Sequence, residues 1–278
     1  MGGKEQDLDG KEQDFGVGDP DSLDTGTAHI ARVYDYWLGG KDHFAADRAA
    51  GDEALEAFPG LISSVRANRA FLARTVRYLA GEAGIRQFLD IGTGIPSPDN
   101  THEVAQSIAP DARVVYVDND PMVLAHARAL LRSDPHGETA YIDADLRDTG
   151  KILDEAAKVI DFSQPVAVML VAVLHLVGDE DRPADTIRRL MAAVPSGSSL
   201  TISHVPNDMH DGQMSAMSDR LNRLLSQPST YRSRAEVTAL FDGLELVPPG
   251  VVPIQDWRST PQEAAAVAAM WGGVAFKP

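Results

Sequence analysis

The chain has 278 residues, 44% of them hydrophobic, and a formal net charge of −16. That size suits one large α/β domain with an accessory segment, and the acidity argues against a general binder of nucleic acid or of an anionic membrane. Cysteine is absent, which excludes disulfides, thiolate catalysis and Cys-ligated zinc together. No apolar run reaches the roughly 18 residues of a membrane span, and no apolar signal core follows Met1, so the expected location is cytoplasmic.

Residues 1–25 are acidic, Gly-rich and poor in apolar side chains. Gly3-Lys4-Glu5-Gln6-Asp7 recurs as Gly10-Lys11-Glu12-Gln13-Asp14 without apolar heptad positions, which reads as a solvated tail. Residues 26–82 read as a helical cap. Ala28–Leu38 stops at Gly39-Gly40. Phe44–Phe58 is closed by Pro59-Gly60. Leu61–Leu79 has amphipathic spacing with four arginines between its apolar positions.

From residue 83 to 278 short apolar runs alternate with helical patterns. The runs are Phe88–Ile91, Val114–Val117, Tyr141–Ile142, Val166–Leu174 and Ser199–Ile202. The helical patterns cover about 100–108, 121–132, 149–158 and 181–193. Continuous apolar strands with helical crossovers predict an α/β fold, Rossmann-like, with a mostly parallel sheet covered on both faces. A helical insertion is expected over about 206–232. Ser233-Arg234-Ala235-Glu236 opens a further helix as a capping box. Leu244–Val247 and Gly273–Phe276 are the last strand candidates, and Pro248-Pro249 puts the first of them at an edge or a bulge.

The chemistry-bearing segment is Gln87-Phe88-Leu89-Asp90-Ile91-Gly92-Thr93-Gly94, a buried strand running into a glycine turn. Glycines let the backbone take φ > 0 and approach a ligand. The next strand ends in Asp118, where a carboxylate can accept both ribose hydroxyls of an adenosine. NAD, FAD and S-adenosylmethionine sites all use such a turn. Asp90 would repel a diphosphate but pairs with the ammonium of a methionine moiety. Pro96 and Pro98 remove backbone donors that a pyrophosphate would need. Both details favour S-adenosylmethionine, with S-adenosylhomocysteine as product.

Strand-end placement extends the candidate cofactor set to Asn119, Met122, Asp145 and Leu146. Asp145 could accept from the adenine amine, Leu146 could pack on the base, and Met122 could lie along it. His175, after the fourth strand, is the candidate general base, with an edge or core histidine as the alternative. His204, after the fifth, is a candidate on the acceptor side. Tyr34, Tyr36 and Trp37 could face the sulfonium by cation–π contact or wall in the acceptor, and Lys41 could hold the methionine end. No metal site is expected: the His204, Asp208, His210 and Asp211 group reads as a polar loop. Met209, Met214 and Met217 suggest a substrate lid.

The segment Ala31-Arg32-Val33-Tyr34-Asp35-Tyr36-Trp37-Leu38-Gly39-Gly40-Lys41-Asp42-His43-Phe44-Ala45-Ala46-Asp47-Arg48 resembles the hallmark of an actinobacterial S-adenosyl methyltransferase family long catalogued as a domain of unknown function. Phe88–Pro96, Tyr116–Pro121, Ala144–Asp148 and Gly273–Pro278 carry the same resemblance. The family has Asn where this chain has His43, so no role is carried to that position. The resemblance covers about residues 25–278. It implies the methyltransferase fold, the adenosyl cofactor and a transferase acting on an unidentified acceptor, expected to be a small molecule. A non-catalytic adenosyl-binding module and an NAD-dependent oxidoreductase are the competing readings. Homo-oligomerisation is left open.

Overall fold

The computed structural model describes residues 24–130, 135–210 and 212–278. The acidic recurrence and Asp211 lie outside the described residues.

The strands are β1 (Gln87–Ile91), β2 (Arg113–Asp118), β3 (Glu138–Asp143), β4 (Ala167–Val171), β5 (Ser199–His204), β6 (Glu245–Leu246), β7 (Val252–Pro253) and β8 (Trp271–Phe276). They form one sheet in the order β3-β2-β1-β4-β5-β8-β6, with β7 also paired to β8. The first five strands in that order are parallel. Strand β8 is antiparallel to β5, β6 and β7. β1, β4 and β5 are buried along their whole length, which is why they read as unbroken apolar runs.

Alternation along β1 sends Phe88 and Leu89 to opposite faces. Leu89 joins Val115, Val168, Ile152 and Ile187 on one side. Phe88 joins Tyr116, Met169, Phe71 and Val76 on the other. Phe71 and Val76 come from α3 (Leu61–Arg77), so this helix covers the sheet directly. A third cluster joins α1 (Ile30–Leu38), α2 (Ala45–Ala57) and α8 (Gln213–Leu224) through Val33, Trp37, Ala54, Met214 and Leu221. Helix α1 stops at Gly39, whose φ of 82° lets its N–H turn back onto the carbonyls of Asp35 and Tyr36. The remaining helices, in chain order, are α4 (Thr101–Ile108), α5 (Pro121–Leu130), α6 (Thr149–Ala156), α7 (Pro183–Ala193), α9 (Arg234–Ala239) and α10 (Pro261–Ala264).

One expectation needs correction. The apolar run from Val166 to Leu174 is not one strand. β4 ends at Val171, Ala172 takes a left-handed φ of 53°, and Leu174–Leu176 form a 3-10 turn. An apolar run cannot tell a strand from the buried turn that follows it. The two-residue β7 and the four-residue α10 carry too little pattern to be read from sequence. The order of strands reverses between β1 and β4, and there a crevice opens at their carboxyl ends.

Candidate active site

The crevice encloses about 1140 Å³, counting its open mouth. Its floor is the turn after β1. The N–H groups of Gly92 and Thr93 donate to the Val117 carbonyl at 2.8 and 3.3 Å. A Cβ on Gly92 would stand 2.2 Å from Val173, so packing of the β4 loop demands this glycine. Gly94 differs: at φ 67°, a Cβ there would meet nothing within 4 Å among the described residues. Its backbone faces open crevice.

Asp118 is fixed beside that gap. One carboxylate oxygen accepts from the Gly94 N–H at 2.8 Å and the other from the Asp120 N–H at 3.0 Å. Burial raises its pKa, partly offset by those two backbone donors. Asn119 lines the crevice next to it.

Asp90 and Arg69 also line the crevice. Asp90 is only 4% exposed and accepts from the Thr101 hydroxyl at 2.6 Å. Burial pushes its carboxyl up to about 6, against the pull of Thr101 and the Arg69 guanidinium. Arg69 reaches in from α3. Its Nη2 donates to the carbonyls of Pro98 and Asp99, both at 3.0 Å, while its buried Nε has no hydrogen-bond partner among the described residues. A buried carboxyl and an unsatisfied guanidinium N–H in one crevice suit a zwitterion, with an ammonium for Asp90 and a carboxylate for Arg69. The residues present therefore fit S-adenosylmethionine. Arg69 was not foreseen, because nothing in the sequence distinguishes it from the other arginines of α3.

The remaining candidates separate by geometry. Thr93, Asp145, Leu146 and Tyr34 line the crevice. Asp145 is clamped by Arg147 Nε at 2.8 Å and Nη2 at 2.6 Å, which holds its carboxyl below the usual range. Lys41, Tyr36 and Met122 do not line it. Lys41 is exposed beyond the Gly39 stop. Tyr36 turns to the other side of α1, where its hydroxyl donates to Asp52 at 2.7 Å. Met122 opens α5 with its N–H on Asp120 at 2.8 Å.

A second cavity of about 620 Å³ adjoins the crevice, and Ile30, Tyr34 and Ala172 line both. Trp37, Phe58, Met214, Met217 and Leu221 enclose it on the far side, and His175 lies in its wall. The junction is held by a closed network. Ala172 N–H donates to Ser203 Oγ at 3.0 Å, Ser203 Oγ to Asn68 Oδ1 at 2.7 Å, and Asn68 Nδ2 to the Tyr34 hydroxyl at 3.0 Å. His204 lines neither cavity. Its Nδ1 meets the Val205 carbonyl at 2.8 Å and its Nε2 meets Arg232 at 2.9 Å, so both ring nitrogens are committed and an acceptor-side role is withdrawn. Among the described residues no group of His, Cys, Asp and Glu is arranged to hold a metal, and no helix is long and apolar enough to cross a membrane.

This sheet order with its antiparallel β8, and a crevice at the strands' carboxyl ends whose residues fit an adenosyl amino acid, mark a Rossmann-like methyltransferase. The model of the S-adenosyl methyltransferase family matches residues 17–278, and the chain belongs to that family. A crystal structure of a DUF574 family protein from Streptomyces avermitilis is 45% identical, with a TM-score of 0.89 over 92% of this chain and 99% of that one. A protein from Thermobifida fusca is 42% identical, with a TM-score of 0.84 over 94% and 99%. The S-adenosylmethionine-dependent methyltransferase SibL shares the fold at 17% identity, with a TM-score of 0.50 over 93% and 68%. No match is found among the curated proteins. The chain is thus a methyltransferase that uses S-adenosylmethionine.

Proposed function

We propose that the acceptor is a small molecule held in the second cavity, facing a cofactor held in the first. The observation that carries this is the shared wall. Ile30, Tyr34 and Ala172 border both spaces, so a methyl leaving one enters the other. Ala172 holds a backbone conformation costly for a residue with a Cβ, and strain of this kind collects at working sites. In this reading α1, α2, α8 and the loop after α8 form the acceptor cover, and the described part of 206–232 belongs to it.

Asp118 takes the ribose hydroxyls. Asp90 and Arg69 take the ammonium and carboxylate of the methionine end. Leu146 and Asn119 border the adenine, and Asp145 receives its amine alongside Arg147. Gly92, Thr93 and Gly94 form the floor. When bound, the cofactor supplies an activated methyl on a sulfonium; the protein aligns the acceptor in line with it and excludes water. Tyr34, pinned by Asn68, keeps its ring at the junction, where its face suits a cation.

Titration calorimetry with S-adenosylhomocysteine tests the assignment. Wild type should bind, and Asp118→Ala should lose about 100-fold, the equivalent of one or two charge-assisted hydrogen bonds. Unchanged affinity in that variant removes Asp118 from the site.

A further inference from the structure

We propose that the second cavity selects a neutral, largely apolar acceptor bearing a hydroxyl group, and that His175 receives that hydroxyl. This rests on the reading of the second cavity as the acceptor chamber.

The chamber walls are apolar: Phe58, Leu61, Val65, Met214, Met217 and Leu221. Among the described residues no Asp, Glu, Lys or Arg lines it. A carboxylate or an ammonium would enter without a counter-charge, at a desolvation cost no wall residue offsets. The polar groups of the wall are already engaged. Ser64 Oγ donates to the Gly60 carbonyl at 3.2 Å and accepts from the Ala269 N–H at 2.9 Å. Ser229 Oγ donates to Asn222 at 2.9 Å. Tyr34 O–H donates to the Val65 carbonyl at 3.4 Å and accepts from Asn68. Burial raises the Tyr231 phenol to about 12, eased by the Ser229 side chain beside it.

His175 is the exception. It is 7% exposed, and its Nδ1 is buried without a hydrogen-bond partner. Behind it lies the His204 ring, 6.1 Å away, and behind that Arg232, which donates to the Leu174 and Val177 carbonyls at 3.0 and 2.8 Å. Burial, His204 and Arg232 push the His175 imidazole down to about 3, so it is neutral at physiological pH. A neutral imidazole carries one N–H and one lone pair. A hydroxyl answers either; a carboxylate can only accept, and an ammonium can only donate.

The transfer balances with these groups. A lone pair of the hydroxyl oxygen forms the O–C bond while the C–S bond breaks, its electron pair staying on sulfur as a neutral thioether. The oxygen, now with three bonds, becomes a strong acid, so even a weakly basic imidazole takes its proton. The positive charge passes from the sulfur side to His175, which returns the proton to water when product leaves.

The test uses protein loaded with S-adenosylhomocysteine and four probes: naphthalene, and naphthol, naphthoate and naphthylmethylammonium substituted at one ring position. Binding is read from methyl resonances of labelled Met214 and Met217. Naphthol should shift both signals and bind about tenfold more tightly than naphthalene, since an unmatched buried group costs five- to roughly a hundredfold. Naphthoate and naphthylmethylammonium should bind most weakly. His175→Phe should erase the naphthol advantage, and His175→Gln, which keeps a donor and an acceptor, should restore part of it. In both variants affinity for S-adenosylhomocysteine should stay within about twofold. Equal binding of naphthol and naphthalene, no binding of naphthol, preference for either charged probe, or an unaltered preference in His175→Phe overturns the proposal. S-adenosylhomocysteine binding with no shift at Met214 and Met217 places the fault in the acceptor-chamber reading; failure of S-adenosylhomocysteine to bind places it in the cofactor assignment.

Discussion

Asp90→Asn should make the ligand-free protein more stable and the cofactor site weaker. The Asp90 carboxyl is buried and raised from 3.8 to about 6. At about 1.4 kcal/mol per pH unit, holding its charge in the empty crevice costs about 3 kcal/mol. Because the folded-state value lies above the unfolded one, the favourable contribution is complete below 3.8. It is lost as pH climbs through about 6. Asn cannot ionise and still accepts from Thr101. The gain of Asp90→Asn over wild type in urea unfolding should therefore be near zero at about pH 4 and approach about 3 kcal/mol at about pH 7.

Binding should move the other way. A methionine ammonium stabilises the charged carboxylate, so wild-type affinity for S-adenosylhomocysteine should rise with pH, up to about tenfold per pH unit, until about 6. Calorimetry at about pH 5.5 in buffers of different ionisation enthalpy counts the protons released. Asp90→Asn should release fewer than wild type, the remainder belonging to Asp118, whose pKa is also raised by burial. A variant no more stable than wild type near neutral pH, with unchanged proton release, refutes the reasoning.

Arg69→Met keeps the aliphatic stem in place and should weaken S-adenosylhomocysteine binding by about 10- to 100-fold with little change in melting temperature. Gly92→Ala should destabilise by more than about 2 kcal/mol in chemical denaturation, because a Cβ would collide with Val173 at a positive φ. Adding Val173→Ala should recover part of that loss. Ala172→Gly relieves a left-handed alanine and should raise the unfolding free energy by about 1 kcal/mol; a drop would mean that the methyl packs favourably enough to outweigh the strain.

The sequence patterns that held up best were those with local causes. Unbroken apolar runs located β1, β2, β4 and β5, and the carboxylates at the tips of β1 and β2 line the crevice. Residues brought in from far along the chain were not legible. Arg69 has three companions on α3 with the same local texture, and only the packing of that helix beside the β1 turn singles it out. The second cavity joins α1, α3, α8 and Met270, a meeting no local pattern encodes. Tyr34 and Tyr36 sit two residues apart on one helix, so they point to different sides; sequence offered both as ligand residues, while the fold gives one to the junction and the other to Asp52. His204 had the right strand end, but its partner Arg232 lies 28 positions away.

The wall shared by the two cavities bears on how this scaffold can diversify. Ile30 and Tyr34, one turn apart on α1, touch both spaces, whereas Met214, Met217 and Leu221 of α8 touch only the second. In the proposed reading, substitutions at Ile30 or Tyr34 alter acceptor choice and cofactor retention together, so each gain in one is exposed to a loss in the other. Helix α8 is free of that coupling, and a lineage or a designer changing the acceptor can rewrite its inner face while the cofactor machinery stays constant.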